Sequence, residues 1–241
     1  MKIIFFNIWH GKVFDKLSEY LLEEAKTTDV FCLTEVDPQL NDRLKQLFNN
    51  YNSFYTKLIE TQYLNGGVEG QSIFVNKSLS AERYSSHLVF DLKKDDVGAL
   101  ESIVVTNTLG KKVNIGSLHG MAKPGHKLDT PERISQSQKT IDVFRAKSPP
   151  TIIGGDFNLL PETKSVALFE EAGYNNLIKD FDIKTTRNRL SWDQFAGDPK
   201  NFGKQYYADY IFTSKDIEVL SFNVPNVEVS DHLPLVVNIK D

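Results

Sequence analysis

Residues 151–161 read TIIGGDFNLLP. Thr151, Ile152 and Ile153 make the apolar run of a buried strand. Gly154 and Gly155 let the backbone turn tightly or pass close to a neighbouring group. Asp156 and Asn158 then stand where the strand ends, and Pro161 closes the stretch. Strand ends are where α/β sheets commonly present ligand-binding groups. The segment is therefore either an Asx-type turn or one wall of a site.

The same pattern recurs along the chain. Asn7 interrupts FFNIW, Glu35 interrupts CLTEV, and His119 closes SLHG. Asp209 opens the strand in YADYIF, and Asp231 and His232 break VSDHLPL. A lone buried carboxylate is costly unless it is paired, hydrogen-bonded or metal-bound. So many polar breaks in apolar strands imply one shared polar site. Glu35 and the aspartates are hard oxygen donors suited to Mg²⁺ or Mn²⁺. No cysteine cluster and no HExxH occurs, so zinc is disfavoured. A carboxylate beside a histidine fixes its tautomer and charge. Asp209, rather than the adjacent Asp231, is the better orienting partner for His232.

Around these points the elements follow from periodicity. KIIFFNIW and VFCLTEV read as buried strands; residues 15–26 and 38–48 have helical spacing. The middle is β-rich, with a hairpin around Asn107–Gly110. Residues 130–147 read as a helix with Pro131 in its first turn, and residues 162–172 as another. Residues 179–205 read as irregular, and three strands finish the chain. Two sheets packed face to face with helices outside account for this order. A single domain over residues 1–241 is expected.

Composition sets limits. The chain has 241 residues, 40% of them apolar, with a net charge of -4. That length can bury a full core, and the charge argues against a broad nucleic-acid-binding surface. Residues 123–147 nevertheless hold six basic and three acidic side chains, a local patch that a phosphate-bearing substrate would use. The only cysteine, Cys32, reads as a small core residue. No secretory signal or membrane span is evident, so a cytoplasmic monomer is expected.

The ordered set FFNIW, LTEV, SLHG, GGDFN, ADYIF and SDHLPL resembles the endonuclease/exonuclease/phosphatase superfamily, the metal-dependent phosphoesterases related to DNase I. The resemblance implies a four-layered α/β sandwich of two mostly antiparallel sheets. It implies hydrolysis of a phosphate ester, a phosphodiester first, by in-line attack of water with Mg²⁺ or Mn²⁺. Glu35 resembles the family's metal-binding glutamate, with Asn7 supporting it and Asp231 as a further metal-binding acid. Asp156 resembles the aspartate that orients the water, and Asn158 the donor to a phosphate oxygen. Asp209 and His232 resemble the family's Asp–His pair. His119 resembles the second histidine of the DNase I and sphingomyelinase branches. DNA cleavage, sphingomyelin or inositol-phosphate hydrolysis, and a non-catalytic interaction module are the alternatives.

Four further residues are candidates for substrate contact. Arg133 opens a helix whose N-terminus could favour phosphate. Arg187 and Arg189, in TTRNRLSW, could grip an anionic group, and Trp192 could stack on substrate. His10 could reach the site from the first strand's end, or remain a loop histidine. His87 and His126 read as surface residues. Gly66, Gly67 and Gly70 read as a rim or a plain turn.

Overall fold

The structure, a computed structural model, describes residues 1–60, 68–90, 98–145, 149–194, 196 and 202–240. The chain opens with β1 (Lys2–Asn7), α1 (Phe14–Glu24), β2 (Val30–Thr34) and α2 (Pro38–Leu47). The strand-rich middle holds β3 (Tyr51–Glu60), β4 (Val68–Asn76), β5 (Ser80–His87), β6 (Leu100–Thr106) and β7 (Lys112–His119). Then come α3 (Pro131–Phe144), β8 (Thr151–Asp156), α4 (Lys164–Glu171), β9 (Asn175–Asn176), α5 (Leu177–Asp180) and α6 (Arg189–Gln194). β10 (Asp209–Thr213), β11 (Val219–Asn223) and β12 (Leu235–Ile239) finish the chain.

These make two six-stranded sheets, ordered β11-β12-β1-β2-β4-β3 and β5-β6-β7-β8-β10-β9. Each sheet is antiparallel except for one central pair, β1–β2 in the first and β7–β8 in the second. Parallel central strands are covered on both faces, which is why their sequences are near-continuous apolar runs. The helices start where side chains satisfy the free backbone donors. Asp37 accepts from Leu40 N–H, Thr130 from Arg133 N–H and Thr163 from Val166 N–H. Pro38 and Pro131 occupy first-turn positions, where a missing N–H costs nothing.

The two glycines of the opening stretch have separate reasons. A Cβ on Gly154 would lie 2.6 Å from the Phe5 ring, so this glycine lets β8 of one sheet press against β1 of the other. Gly155 has φ of 130°, and a Cβ there would lie 2.2 Å from the Leu118 carbonyl. The inter-sheet core contains Ile3, Phe5, Cys32, Ile73, Ile103, Ile152 and Ile211. Leu17 and Leu21 of α1 and Leu40 and Leu44 of α2 cover the outer face of the first sheet. Phe144 of α3 lies over Gly116 on the outer face of the second. The order helix, sheet, sheet, helix is the four-layered sandwich.

Two local readings differ. The polar stretch 179–205 contains the short helix α6, with Asn188 Oδ1 accepting Leu190 N–H at 2.9 Å at its start. Gly70 lies inside β4, where a Cβ would meet the Thr56 carbonyl at 2.5 Å, so it serves close strand approach and no rim. Gly66 and Gly67 lie outside the described residues.

Candidate active site

Register brings the polar strand ends together. Asn7 is opposite Thr34 in the parallel β1–β2 pair, which puts Glu35 just beyond it. In the other sheet His119 is opposite Asp156, and Asp156 is opposite Asp209. The ends of the two parallel pairs therefore meet at one edge of the sandwich. Glu35, His119 and Asp156 line a cleft of about 540 Å³ with Trp9, His10, Lys127, Asn158, Arg187, Trp192, Asp231 and His232. Seven non-glycine described residues have positive φ, and five of them (Trp9, His10, Glu35, Lys127 and Asn158) line this cleft. Such conformations cost about 1–3 kcal/mol each and gather where function holds a side chain in place.

Asp156 is the centre. Its Oδ1 accepts the Asn158 N–H at 2.9 Å. The segment is thus an Asx turn and a site wall at once. Its Oδ2 receives the Asn7 amide nitrogen at 3.1 Å. Two imidazoles flank that oxygen, His232 Nε2 at 3.5 Å and His119 Nε2 at 3.9 Å. Burial opposes the charged carboxylate. A protonated His232, together with Lys127, His119 and Arg187, overcomes it and holds Asp156 well below the usual carboxylate range.

Each imidazole is backed by its own acid. His232 Nδ1 is 2.8 Å from Asp209 Oδ1, and Thr186 Oγ1 donates to Asp209 Oδ2 at 2.8 Å. His119 Nδ1 is 3.2 Å from Glu69. Burial works against the His119 imidazolium, but Glu69, Asp156 and Glu35 outweigh it and lift its pKa to about 9. For His232, burial and Arg187 push down while Asp209, Asp156 and Asp231 push up, and the net direction is upward. Arg187 Nη1 lies 2.6 Å from His232 Nε2. A guanidinium only donates, so in this arrangement Nε2 carries the lone pair and Nδ1 the proton. In that tautomer His232 presents Nε2 as the acceptor, and its raised proton affinity favours taking a proton there.

The residues present fit a divalent ion. Asp156, Asp209 and His232 each offer a ligand atom, all within 4.8 Å of one another. Asn7 Nδ2 also bridges Asp156 to Glu35 Oε1, at 2.9 Å from the latter. The donors are carboxylate oxygens and one imidazole, a hard set. On the inner side Arg187 already supplies positive charge at His232. Glu35, half-buried at the cleft mouth, has His10 Nε2 at 3.1 Å and is joined to Asp156 through the Asn7 amide.

Several expected roles change. Asn7 Oδ1 accepts Trp9 N–H at 3.0 Å, while its amide nitrogen joins the Glu35 and Asp156 carboxylates. Asp231 is paired with Arg187 at 3.1 Å and lines the same cleft as Glu35. Arg133 is fully buried and is no substrate contact. Its guanidinium donates to the carbonyls of Leu128, Met121, Ala122 and Pro124 at 2.7–3.2 Å. The helix start that suggested a phosphate site is instead an anchor for the preceding loop. Arg189 pairs with Glu228 and Asp193 on the exposed outer side and does not line the cleft. Arg187 and Trp192 do line it. Glu69 and Lys127 lie at the site without having been singled out by sequence. Glu69 follows no strong apolar run, and Lys127 lies in the loop sequence KPGHKLD, so neither breaks a strand visibly.

Residues 4–232 match the Endonuclease/Exonuclease/phosphatase family, and the chain belongs to it. With its buried Asp/Asp/His group the fold supports a metal-dependent phosphoesterase reaction. Solved structures share the fold at low identity. The catalytic domain of human Nocturnin with bound sulfate is 18% identical, with a TM-score of 0.72, over 100% of this chain and 93% of that one. A Bacteroides thetaiotaomicron mannosyl-6-phosphatase is 16% identical, with a TM-score of 0.76, over 100% of both chains. A truncated Caenorhabditis elegans TDP2 is 20% identical, with a TM-score of 0.69, over 99% of this chain and 96% of that one. No curated protein sequence is significantly similar to this chain.

Proposed function

We propose that the protein hydrolyses the phosphate ester of a compact, ring-bearing alcohol, with Mg²⁺ as the resident ion and Mn²⁺ as a substitute. Glu35 and Asp156 would hold the ion, with Asn7 keeping the two carboxylates in register. Such an ion polarises the phosphoryl group and favours the departing oxygen. Asp156 orients the attacking water, because its depressed pKa makes it a weak proton acceptor. His232, neutral and of raised proton affinity, takes or returns the proton at Nε2, and Asp209 holds the ring from behind. His119, kept charged by Glu69, donates to a non-bridging oxygen as negative charge builds there. The observation that carries this reading is the single Asp156 oxygen flanked by two imidazoles, each backed by its own carboxylate.

The cleft walls argue for the substrate class. Trp9, Trp192 and the exposed Phe202 stand beside the polar floor. Planar apolar walls suit a ring-bearing group, and a volume near 540 Å³ suits a small ester. A nuclease acting on single strands is the second reading. It is favoured by Lys12 over the Trp9 ring at 4.2 Å and Lys204 over the Trp192 ring at 5.1 Å, since stacking and cationic contacts hold single strands. Metal-stripped protein should regain hydrolysis of p-nitrophenyl phosphate or its bis-ester on addition of Mg²⁺. A panel of nucleotides, sugar phosphates, inositol phosphates and single-stranded DNA then ranks the two readings. No turnover of any of these with Mg²⁺ or Mn²⁺ would refute both.

A further inference from the structure

We propose that Lys127 grips a non-bridging oxygen of the substrate's phosphoryl group, and that Asn158 is the residue that positions it. The proposal rests on the phosphoesterase reading and assigns a residue which that reading leaves idle.

Asn158 itself has little left to give. Its amide nitrogen donates to the Gly120 carbonyl at 3.1 Å, and its N–H to Asp156 at 2.9 Å. Its Oδ1 accepts from the Lys127 ammonium. An ammonium has three donors. Among the described residues that of Lys127 hydrogen-bonds Asn158 Oδ1 alone. The residue is only 7% exposed, yet it lines the cleft. A buried cation with spare donors calls for an anionic acceptor. The nearby carboxylates are engaged elsewhere: Asp156 holds Asn7 and the Asn158 N–H, and Asp209 holds His232 and Thr186. The remaining Lys127 donors are left for whatever enters the cleft.

The loop is built to keep the ammonium there. Lys127 has φ of 57°, a conformation that a non-glycine residue adopts only under constraint. The constraint is visible. Arg133 ties down the carbonyls of Met121, Ala122, Pro124 and Leu128 from beneath. The Lys127 carbonyl accepts from Leu160 N–H at 3.0 Å, and the Gly125 carbonyl from Gln205 Nε2 at 2.9 Å. Asn158 then sets the direction of the side chain. A compact point charge of this kind suits a phosphate oxygen. The sulfur-containing isostere of its stem, without the charge, makes the natural test.

Inorganic phosphate is the probe, its binding measured by calorimetry in Mg²⁺ buffer. Lys127→Met should weaken phosphate binding by about tenfold to a hundredfold. Lys127→Arg should restore part of the loss, and Asn158→Ala should weaken binding by setting the ammonium adrift. No phosphate binding by the parent, or unchanged binding by folded Lys127→Met, overturns the proposal. If Lys127→Met does not fold, reductive methylation of the parent decides instead. Phosphate should then slow modification of Lys127 as read by mass spectrometry, and an unchanged rate overturns it. A parent protein that binds phosphate through Lys127 but hydrolyses no ester would leave this assignment standing and remove the phosphoesterase reading.

Discussion

Two buried carboxylates at comparable depth behave in opposite ways. Asp156 in the cleft is held far below the usual range, whereas Glu101 of β6 is pushed up to about 7. Both are almost fully buried. The difference lies in their company. Asp156 has His232, Lys127, His119 and Arg187 around it. Glu101 has Tyr84 O–H donating to one oxygen and no hydrogen-bond partner for the other among the described residues. Its charge adds to the burial that pushes the Cys32 thiol up. Burial alone penalises a charge, and only cations or a ligand turn it into a working anion. The cleft is therefore the place where the chain invests in charge, and the Glu101 pocket is a place where it tolerates an acid.

The largest effect should come from breaking the cleft side of this contrast. His232→Ala and Asp156→Asn should each lower kcat by about a hundredfold to ten-thousandfold while the folded spectrum is kept. Near-parental kcat in either would remove that residue from the chemistry. Glu101 should show the reverse behaviour, in stability. Its folded pKa of about 7 lies above the ordinary 4.5, so its contribution is fully present below about 4.5 and is lost as pH rises through 7. The loss is on the order of 3 kcal/mol. Glu101→Gln should flatten the denaturant midpoint between pH 5 and about 8. A parental pH slope in that variant would mean that the acid is not the source.

A smaller shift sharpens the comparison within the site. Glu69→Gln removes the acid behind His119, whose pKa of about 9 should then fall. Stability from the charged imidazole is full below the ordinary 6.5 and is lost through about 9. The alkaline limb of kcat/KM should accordingly move to lower pH by about one unit or more, with the acid limb unchanged. A limb that stays in place assigns the raised pKa to another group. Arg189→Ala should do least, leaving kcat/KM within about twofold, because surface ion pairs contribute little.

How much was legible depended on range. An acid at the end of an apolar run cannot sit alone in a core, so Asn7, Glu35, His119, Asp156, Asp209 and His232 announce a shared site before any fold is known. Proline and Asx or Thr caps likewise announce α2 and α3 locally. Arg133 misled because a helix start and a positive charge look alike whether the side chain turns outward or down onto loop carbonyls. Arg189 misled similarly, since its partner Glu228 is 39 positions away in the chain and leaves no local pattern.

The sequence by itself determined where strands end in polar groups, which histidine has a matching aspartate, and that oxygen donors outnumber sulfur. These follow from burial costs, which each short segment must satisfy on its own. Only the tertiary structure decided that Glu69 backs His119, that Arg187 seats against His232, and that Lys127 reaches Asn158 in the cleft. Those contacts join segments from different sheets and loops, and electrostatic pairing depends on distance in space, which periodicity along the chain does not encode.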